Sequence, residues 1–131
     1  MKEYVFDTSA LLTFIENEEG VEIVENLLKQ SIEHENEIYI STVTLIEIYY
    51  ISLREQGREI ADERKKLLEN IPLIPEPLTI HFVEMIANLK AFNSMSFADC
   101  CIAGLTKSRN AILVHKDPEF EEIENEIDQL R

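Results

Sequence analysis

Apolar positions along the chain fall into two kinds of run. Short apolar blocks, Tyr4-Val-Phe6, Ile38-Tyr-Ile40 and Ala111-Ile-Leu-Val114, read as strands. Between them apolar residues recur every three or four positions, the spacing of a helix face. Ser9–Ile15 begins a helix directly after the first strand, which the pattern places over Glu3–Asp7. Val21, Val24, Leu27, Leu28 and Ile32 mark a second helix. Ile46, Ile48, Tyr49 and Leu53 mark a third that ends near Gly57, and a fourth continues to about Asn70. The pattern adds helices over Phe82–Phe92, Phe97–Ser108 and Glu119–Glu124, and a last edge strand over Ile127–Leu130. Pro72-Leu-Ile-Pro-Glu-Pro77 is too rich in proline for a central strand and suits a sheet edge.

Strands that alternate with helices imply βαβ units, and short fully apolar strands imply a parallel sheet covered on both faces. The expected fold is therefore a three-layer α/β/α arrangement around about five short strands. With 131 residues the chain makes one domain, residues 1–131. No internal repeat or low-complexity linker interrupts it. The acid-rich end from Asp117 to Asp128 reads as a solvated face, because Phe120, Ile123 and Ile127 punctuate it.

Composition adds three points. An apolar fraction of 45%, with 3 Gly and 4 Pro, belongs to a folded globule and not to a disordered chain. The 2 cysteines, Cys100 and Cys101, are adjacent within a helical pattern, which suits two small buried hydrophobes in a reducing compartment better than a disulfide or zinc site. No apolar stretch approaches a membrane span, and the charged N-terminus does not resemble a targeting segment, so a soluble, cytoplasmic protein is expected.

Charge first points away from nucleic acid: the net charge is −14, whereas a nucleic-acid binder usually carries a basic footprint. Bound metal would change that balance, because it neutralises nearby acids. The bases are also unevenly spread: Arg54, Arg58, Arg64, Lys65 and Lys66 crowd one helical region, and Lys107, Arg109 and Lys116 lie near later acids.

Four acids stand out by position. Asp7, Glu47, Asp99 and Asp117 each fall where a strand gives way to a helix, or one turn into that helix. Each has a purely structural reading. Asp7 can cap the first helix, Thr44-Leu-Ile-Glu47 and Ser96-Phe-Ala-Asp99 match capping boxes, and Asp117-Pro118 fits an N-cap followed by proline. Taken together they point elsewhere. In a parallel sheet the carboxyl ends of the strands share one edge, where ligands bind. Carboxylates collected there repel one another, and a divalent cation is the natural reason to collect them. Oxygen donors with no His or Cys suit Mg²⁺ or Mn²⁺.

Val5-Phe-Asp7-Thr-Ser-Ala-Leu11, Ile40-Ser-Thr-Val-Thr-Leu-Ile-Glu47-Ile48, Ser96-Phe-Ala-Asp99-Cys-Cys-Ile-Ala103 and Leu113-Val-His-Lys-Asp117-Pro-Glu-Phe120 together resemble the successive motifs of PIN-domain nucleases, closest to VapC-type toxins of toxin–antitoxin pairs. The resemblance runs from Tyr4 to Phe120. It implies strand order 3-2-1-4-5 and cleavage of RNA, dependent on Mg²⁺ or Mn²⁺, by Asp7, Glu47, Asp99 and Asp117. It implies a homodimer, a small antitoxin partner, and Ser9 as the small polar residue supporting Asp7. His115 departs from it, since the family often has Thr there.

On this reading one or two metal ions held by the acids lower the pKa of a bound water for in-line attack on a phosphodiester. Lys107, Arg109 and Lys116 are candidates for holding phosphate, against a reading as solvated surface bases. Two other phosphoryl-transfer designs fit less well. A haloacid dehalogenase-type phosphatase needs a second Asp where Ser9 stands. A receiver domain needs an acid pair at the first strand and a phosphoacceptor after the third, which here is the proline-rich edge. An alternative of a different class is a catalytically inactive PIN-like module that only binds proteins.

Overall fold

The computed structural model describes residues 1–130. Five parallel strands form one sheet: β1 (Lys2–Phe6), β2 (Asn36–Ser41), β3 (Ile74–Glu76), β4 (Ile112–Val114) and β5 (Asp128–Leu130). Their order is β3-β2-β1-β4-β5. Register is set by pairs such as Val5 with Tyr39 and with Leu113. β3 lies at an edge, as its prolines require, and pairs only with β2.

The six α-helices are α1 (Thr8–Ile15), α2 (Val21–Ile32), α3 (Thr42–Gln56), α4 (Arg58–Glu69), α5 (Val83–Phe92) and α6 (Phe97–Arg109). Short 3-10 segments occupy Ile80–Phe82 and Pro118–Ile123. The segment expected as a helix over Glu119–Glu124 is thus a 3-10 turn opened by Pro118, with Phe120 and Ile123 buried beneath it.

Strand alternation sends successive side chains to opposite faces, and two cores result. Val5, Tyr39 and Leu113 face a core with Ile86, Leu89, Ile102, Leu105 and Phe120. Tyr4, Phe6, Ile38, Ile40 and Val114 face the other, with Leu11, Val24, Leu27, Ile48 and Leu68. Cys100 and Cys101 are free thiols buried in the first core, as small hydrophobes. Between α3 and α4 the chain turns at Gly57 with φ 91° and ψ 171°, a region open in practice only to glycine.

The chain moves from β1 outward to β2 and β3, then returns across the sheet to β4. The reversal puts a crevice between the carboxyl ends of β1 and β4, the place where open α/β sheets bind ligands. Asp7 follows β1 directly, and Asp117 lies three residues beyond β4.

Candidate metal centre

Asp7 is the N-cap of α1. Its Oδ1 accepts the Ala10 amide at 2.8 Å, and both its oxygens lie 2.8 Å from the Ser9 hydroxyl. These bonds aim a nearly inaccessible carboxylate into the crevice, with 2% of its surface exposed. Burial pushes its pKa up to about 7, against the lowering effect of the Ala10 and Ser9 hydrogen bonds; Asp117 and Glu47 add repulsion. Asp7 therefore senses two of the other acids chosen from sequence. Ser9 Oγ also accepts the Lys116 amide at 2.8 Å, which ties the β1 loop to the β4 loop.

Glu47 is not part of a capping box. β2 runs on through Ser41, so Ser41 caps α3, and Thr44 falls inside the helix with its hydroxyl buried and unpaired. Glu47 instead lies one turn along α3, where the Thr8 hydroxyl donates to it at 2.6 Å. That bond joins the start of α1 to α3 and turns Glu47 toward Asp7.

Asp99 shows only half of the expected box. The Ser96 hydroxyl accepts the Asp99 amide at 3.1 Å, but the reciprocal partner of the Ser96 amide is Glu119, at 3.0 Å. The Asp99 carboxylate is thereby left to face Asp117 and Glu119. Burial first, then hydrogen bonding and repulsion from those two acids, raise its pKa to about 9. Carboxylate oxygens of Asp99, Asp117 and Glu119 lie within 4.8 Å of one another. Asp117 caps the 3-10 turn, its Oδ1 accepting the Glu119 amide at 3.0 Å.

Glu119 is the residue that the sequence reading missed. Its signal was present in Asp117-Pro-Glu119, an acid two positions after an N-cap, but the helical reading of that segment directed attention elsewhere. Glu122 reinforces the same region: its two oxygens accept the amide and hydroxyl of Ser94, both at 2.9 Å. Two acids from the 3-10 turn thus fasten the segment that leads into α6 and carries Asp99.

A family model described as the PIN domain matches residues 4–126. The chain belongs to the PIN-domain family. Its fold is similar to that of VapBC2 from Rickettsia felis bound to a promoter DNA fragment, with TM-score 0.79 and 16% identity over 98% of this chain and 97% of that one. DNA-bound VapBC from Salmonella typhimurium gives TM-score 0.74 and 21% identity over 99% and 98%. VapC20 from Mycobacterium tuberculosis, described as a toxin that cleaves the sarcin-ricin loop, gives 0.68 and 14% over 90% and 92%. At these identities the likeness is one of fold. No curated protein sequence matches the chain.

The donor set of this PIN domain fits a hard divalent cation: every candidate ligand is a carboxylate oxygen, and the raised pKa values of Asp7 and Asp99 express repulsion and burial that a cation would relieve. The three bases chosen from sequence are placed differently from one another. Lys116 stands at the crevice rim, where its Nζ donates to the Glu19 carbonyl at 2.7 Å. Lys107 pairs with Glu126 at 2.8 Å on the surface. Arg109 bonds Glu3 at 2.9 Å, and its guanidinium sits 3.5 Å from the centre of the Tyr39 ring. α6 starts at the acid edge, so Lys107 and Arg109 lie about 12–15 Å along the helix from Asp99. The fold does not bring them to the acids.

Proposed function

We propose that this protein, as a single PIN domain, is a metal-dependent endoribonuclease and the toxin of a toxin–antitoxin pair. The observation that carries the reading is the crowding of Asp99, Asp117 and Glu119 within 4.8 Å at the crevice where Asp7 also feels Asp117 and Glu47. Asp7, Asp99, Asp117 and Glu119 would hold Mg²⁺ or Mn²⁺, with Glu47 beside them. When bound, such an ion activates water and neutralises charge at the scissile phosphate.

The chain's own residues prepare that chemistry. Ser9 and the Ala10 amide fix both oxygens of Asp7, and Thr8 fixes Glu47. The collected acids repel a polyanion, so RNA binding at this edge would depend on a cation held by Asp7, Asp99, Asp117 and Glu119. Of the three bases, Lys116 would be the one to meet a phosphate next to the cleaved one, a reading supported by its amide bond to Ser9 beside Asp7. A nucleic-acid loop as substrate is favoured over other phosphodiesters by the fold shared with VapC20, itself described as a sarcin-ricin loop cleaving toxin, and we take that substrate to be RNA.

Partner binding has two supports. Similar folds occur in VapBC complexes, and between α3 and α4 lies an apolar groove of 760 Å³ lined by Leu45, Tyr49, Leu68 and Leu73. We assign that groove, lined also by Lys65 and Glu69, to the apolar segment of a small antitoxin. A homodimer would cover Ile80, Val83, Phe92 and Phe97, of which Ile80 is 89% and Phe92 81% exposed. No helix among the described residues is long and apolar enough to cross a membrane.

The deciding assay is cleavage of single-stranded and stem-loop RNA with Mg²⁺, Mn²⁺ or EDTA, with Asp7→Asn and Asp99→Asn as controls. Turnover must require metal and vanish in both variants. Cleavage that survives EDTA or both substitutions overturns the reading. No cleavage of any RNA by the metal-loaded wild type favours the inactive binding module instead.

A further inference from the structure

His115 is buried, with 1% of its surface exposed, yet it stands two residues before a site acid. Its Nδ1 accepts the Asp117 amide at 3.2 Å. Its Nε2 lies 2.7 Å from Gln129 Oε1, on β5. The Gln129 amide nitrogen in turn donates to the Phe120 carbonyl at 2.8 Å, which fixes the orientation of the amide group. Gln129 therefore presents an oxygen to the ring, the ring must carry its proton on Nε2, and Nδ1 is left with a lone pair for Asp117.

We propose that His115 and Gln129 are positioning residues of the acid site: Gln129 selects the ring tautomer, and His115 Nδ1 then holds the backbone of Asp117. The inference rests on the reading of this edge as a metal site. Its force comes from the chain of bonds continuing beyond Asp117, since Asp117 Oδ1 accepts the Glu119 amide. Each bond in the series sets the next, from the Phe120 carbonyl through Gln129 and His115 to Asp117 and Glu119. One end is anchored in the core, where Phe120 is fully buried and packs edge-on against the His115 ring at 5.0 Å. The other end holds the backbone of Asp117 and Glu119, which carry two of the three clustered carboxylates.

An acceptor that takes the amide two residues on is what Asn, Asp, Ser or Thr supplies with a short side chain. His115 performs that task with a ring nitrogen, and for that reason it needs Gln129. A short acceptor would not. This predicts an asymmetry that a merely space-filling histidine would not show.

The test uses the full chain, stripped of metal, and two readouts. Long-range ¹H–¹⁵N correlation of the imidazole nitrogens reports the tautomer, with His115 assigned by its absence in His115→Asn. The Mn²⁺ concentration that gives half of the thermal shift reports ligand placement. Wild type should show the Nε2–H form. Gln129→Leu should lose it, and Gln129→Leu and His115→Leu should each need about tenfold more Mn²⁺, the scale seen when partners behind metal ligands are removed. His115→Asn, which restores an acceptor, should need less than half of that excess. A His115→Leu protein that binds Mn²⁺ like wild type, or an Asn variant as impaired as the Leu variant, overturns the proposal. If wild type itself gives no Mn²⁺ response, the metal reading fails, and the ring nitrogens alone decide the relay: Nε2–H lost in Gln129→Leu supports it, and Nδ1–H in wild type overturns it.

Discussion

Asp99→Asn separates a metal site from a helix cap without any substrate. Asp99 sits in the first turn of α6, where a negative charge stabilises the helix end by about 0.3–1 kcal/mol, and that contribution is lost in the amide. Against it stands the repulsion from Asp117 and Glu119, whose oxygens lie within 4.8 Å. At an effective dielectric of about 20, two unit charges at that separation repel by about 3 kcal/mol. The sign follows from proton linkage. The Asp99 carboxyl holds its proton up to about pH 9 in the folded chain, against 3.8 when unfolded. Between those values the native state binds the extra proton, so wild-type stability falls as pH rises. Asparagine does not titrate, so its advantage grows over the same range. Proton linkage alone would allow a larger figure at pH 8, but Asp117 and Glu119 are half-exposed and water screens them. Screening holds the cost to the wild-type carboxyl, as repulsion or as the proton that relieves it, to about 3 kcal/mol.

The metal-free variant should therefore lie within about 1 kcal/mol of wild type at pH 5 and gain about 1–3 kcal/mol by pH 8. For a domain of this size that gain raises Tm by roughly 4–12 °C. Thermal melts in chelator across this pH range measure it. Adding Mn²⁺ at about a hundred times its Kd should stabilise wild type by about 2.7 kcal/mol, and the variant by much less. A variant less stable at pH 8 by the helix-end amount, yet answering Mn²⁺ like wild type, would refute the reasoning and leave Asp99 a cap.

Glu119→Gln should keep the bond to the Ser96 amide through its amide oxygen, so metal-free Tm moves little while the Mn²⁺-induced shift falls well below that of wild type in the same melts. Gly104→Ala would set a methyl 2.8 Å from Ile86 Cγ1 where α5 crosses α6; overpacking exceeds the gain in helix propensity, for a net loss of about 1–2 kcal/mol in urea denaturation. Arg109→Ala should lower stability by about 1–2 kcal/mol through the lost Tyr39 stack and Glu3 pair, and Lys107→Ala by under about 0.5 kcal/mol, with RNA cleavage unchanged in both. A large fall in RNA affinity for either would return them to the substrate path.

The sheet was legible because its strands are short, apolar and separated by runs of helical period, and because proline placed β3 at an edge. Boundaries shifted where local pairing outlasted the apolar pattern. β2 begins at Asn36, whose amide donates to the Leu27 carbonyl, and it continues through Ser41, which serves as the cap of α3. That extension displaced the capping box from Thr44 and released Glu47. A sequence pattern could not show it, because Ser41 and Thr44 are equally good caps and only the register of β2 against β1 and β3 chooses between them.

The site was legible to the extent that its acids follow strands, since the topology alone then gathers them at one edge. Glu119 obeys a different rule. It lies inside the acid-rich stretch from Asp117 to Asp128, which reads as a solvated face, so its position in the sequence gives no sign of a place among the clustered acids. Asp117 is extended, with φ −98° and ψ 117°, and caps a 3-10 turn in which the Glu119 amide bonds back to Asp117 Oδ1 while the Glu119 carboxylate reaches the Ser96 amide at the start of the helix that carries Asp99. The turn that follows Asp117 thus brings a further carboxylate to Asp99 and Asp117. Lys107 and Arg109 fail by the opposite geometry: proximity in sequence to two acids meant little once α6 carried them down the sheet. What a residue contributes to this edge is decided by the backbone conformation immediately beside it. For that reason a hydrogen bond such as His115 to the Asp117 amide has consequences for the site that its small energy alone would not suggest.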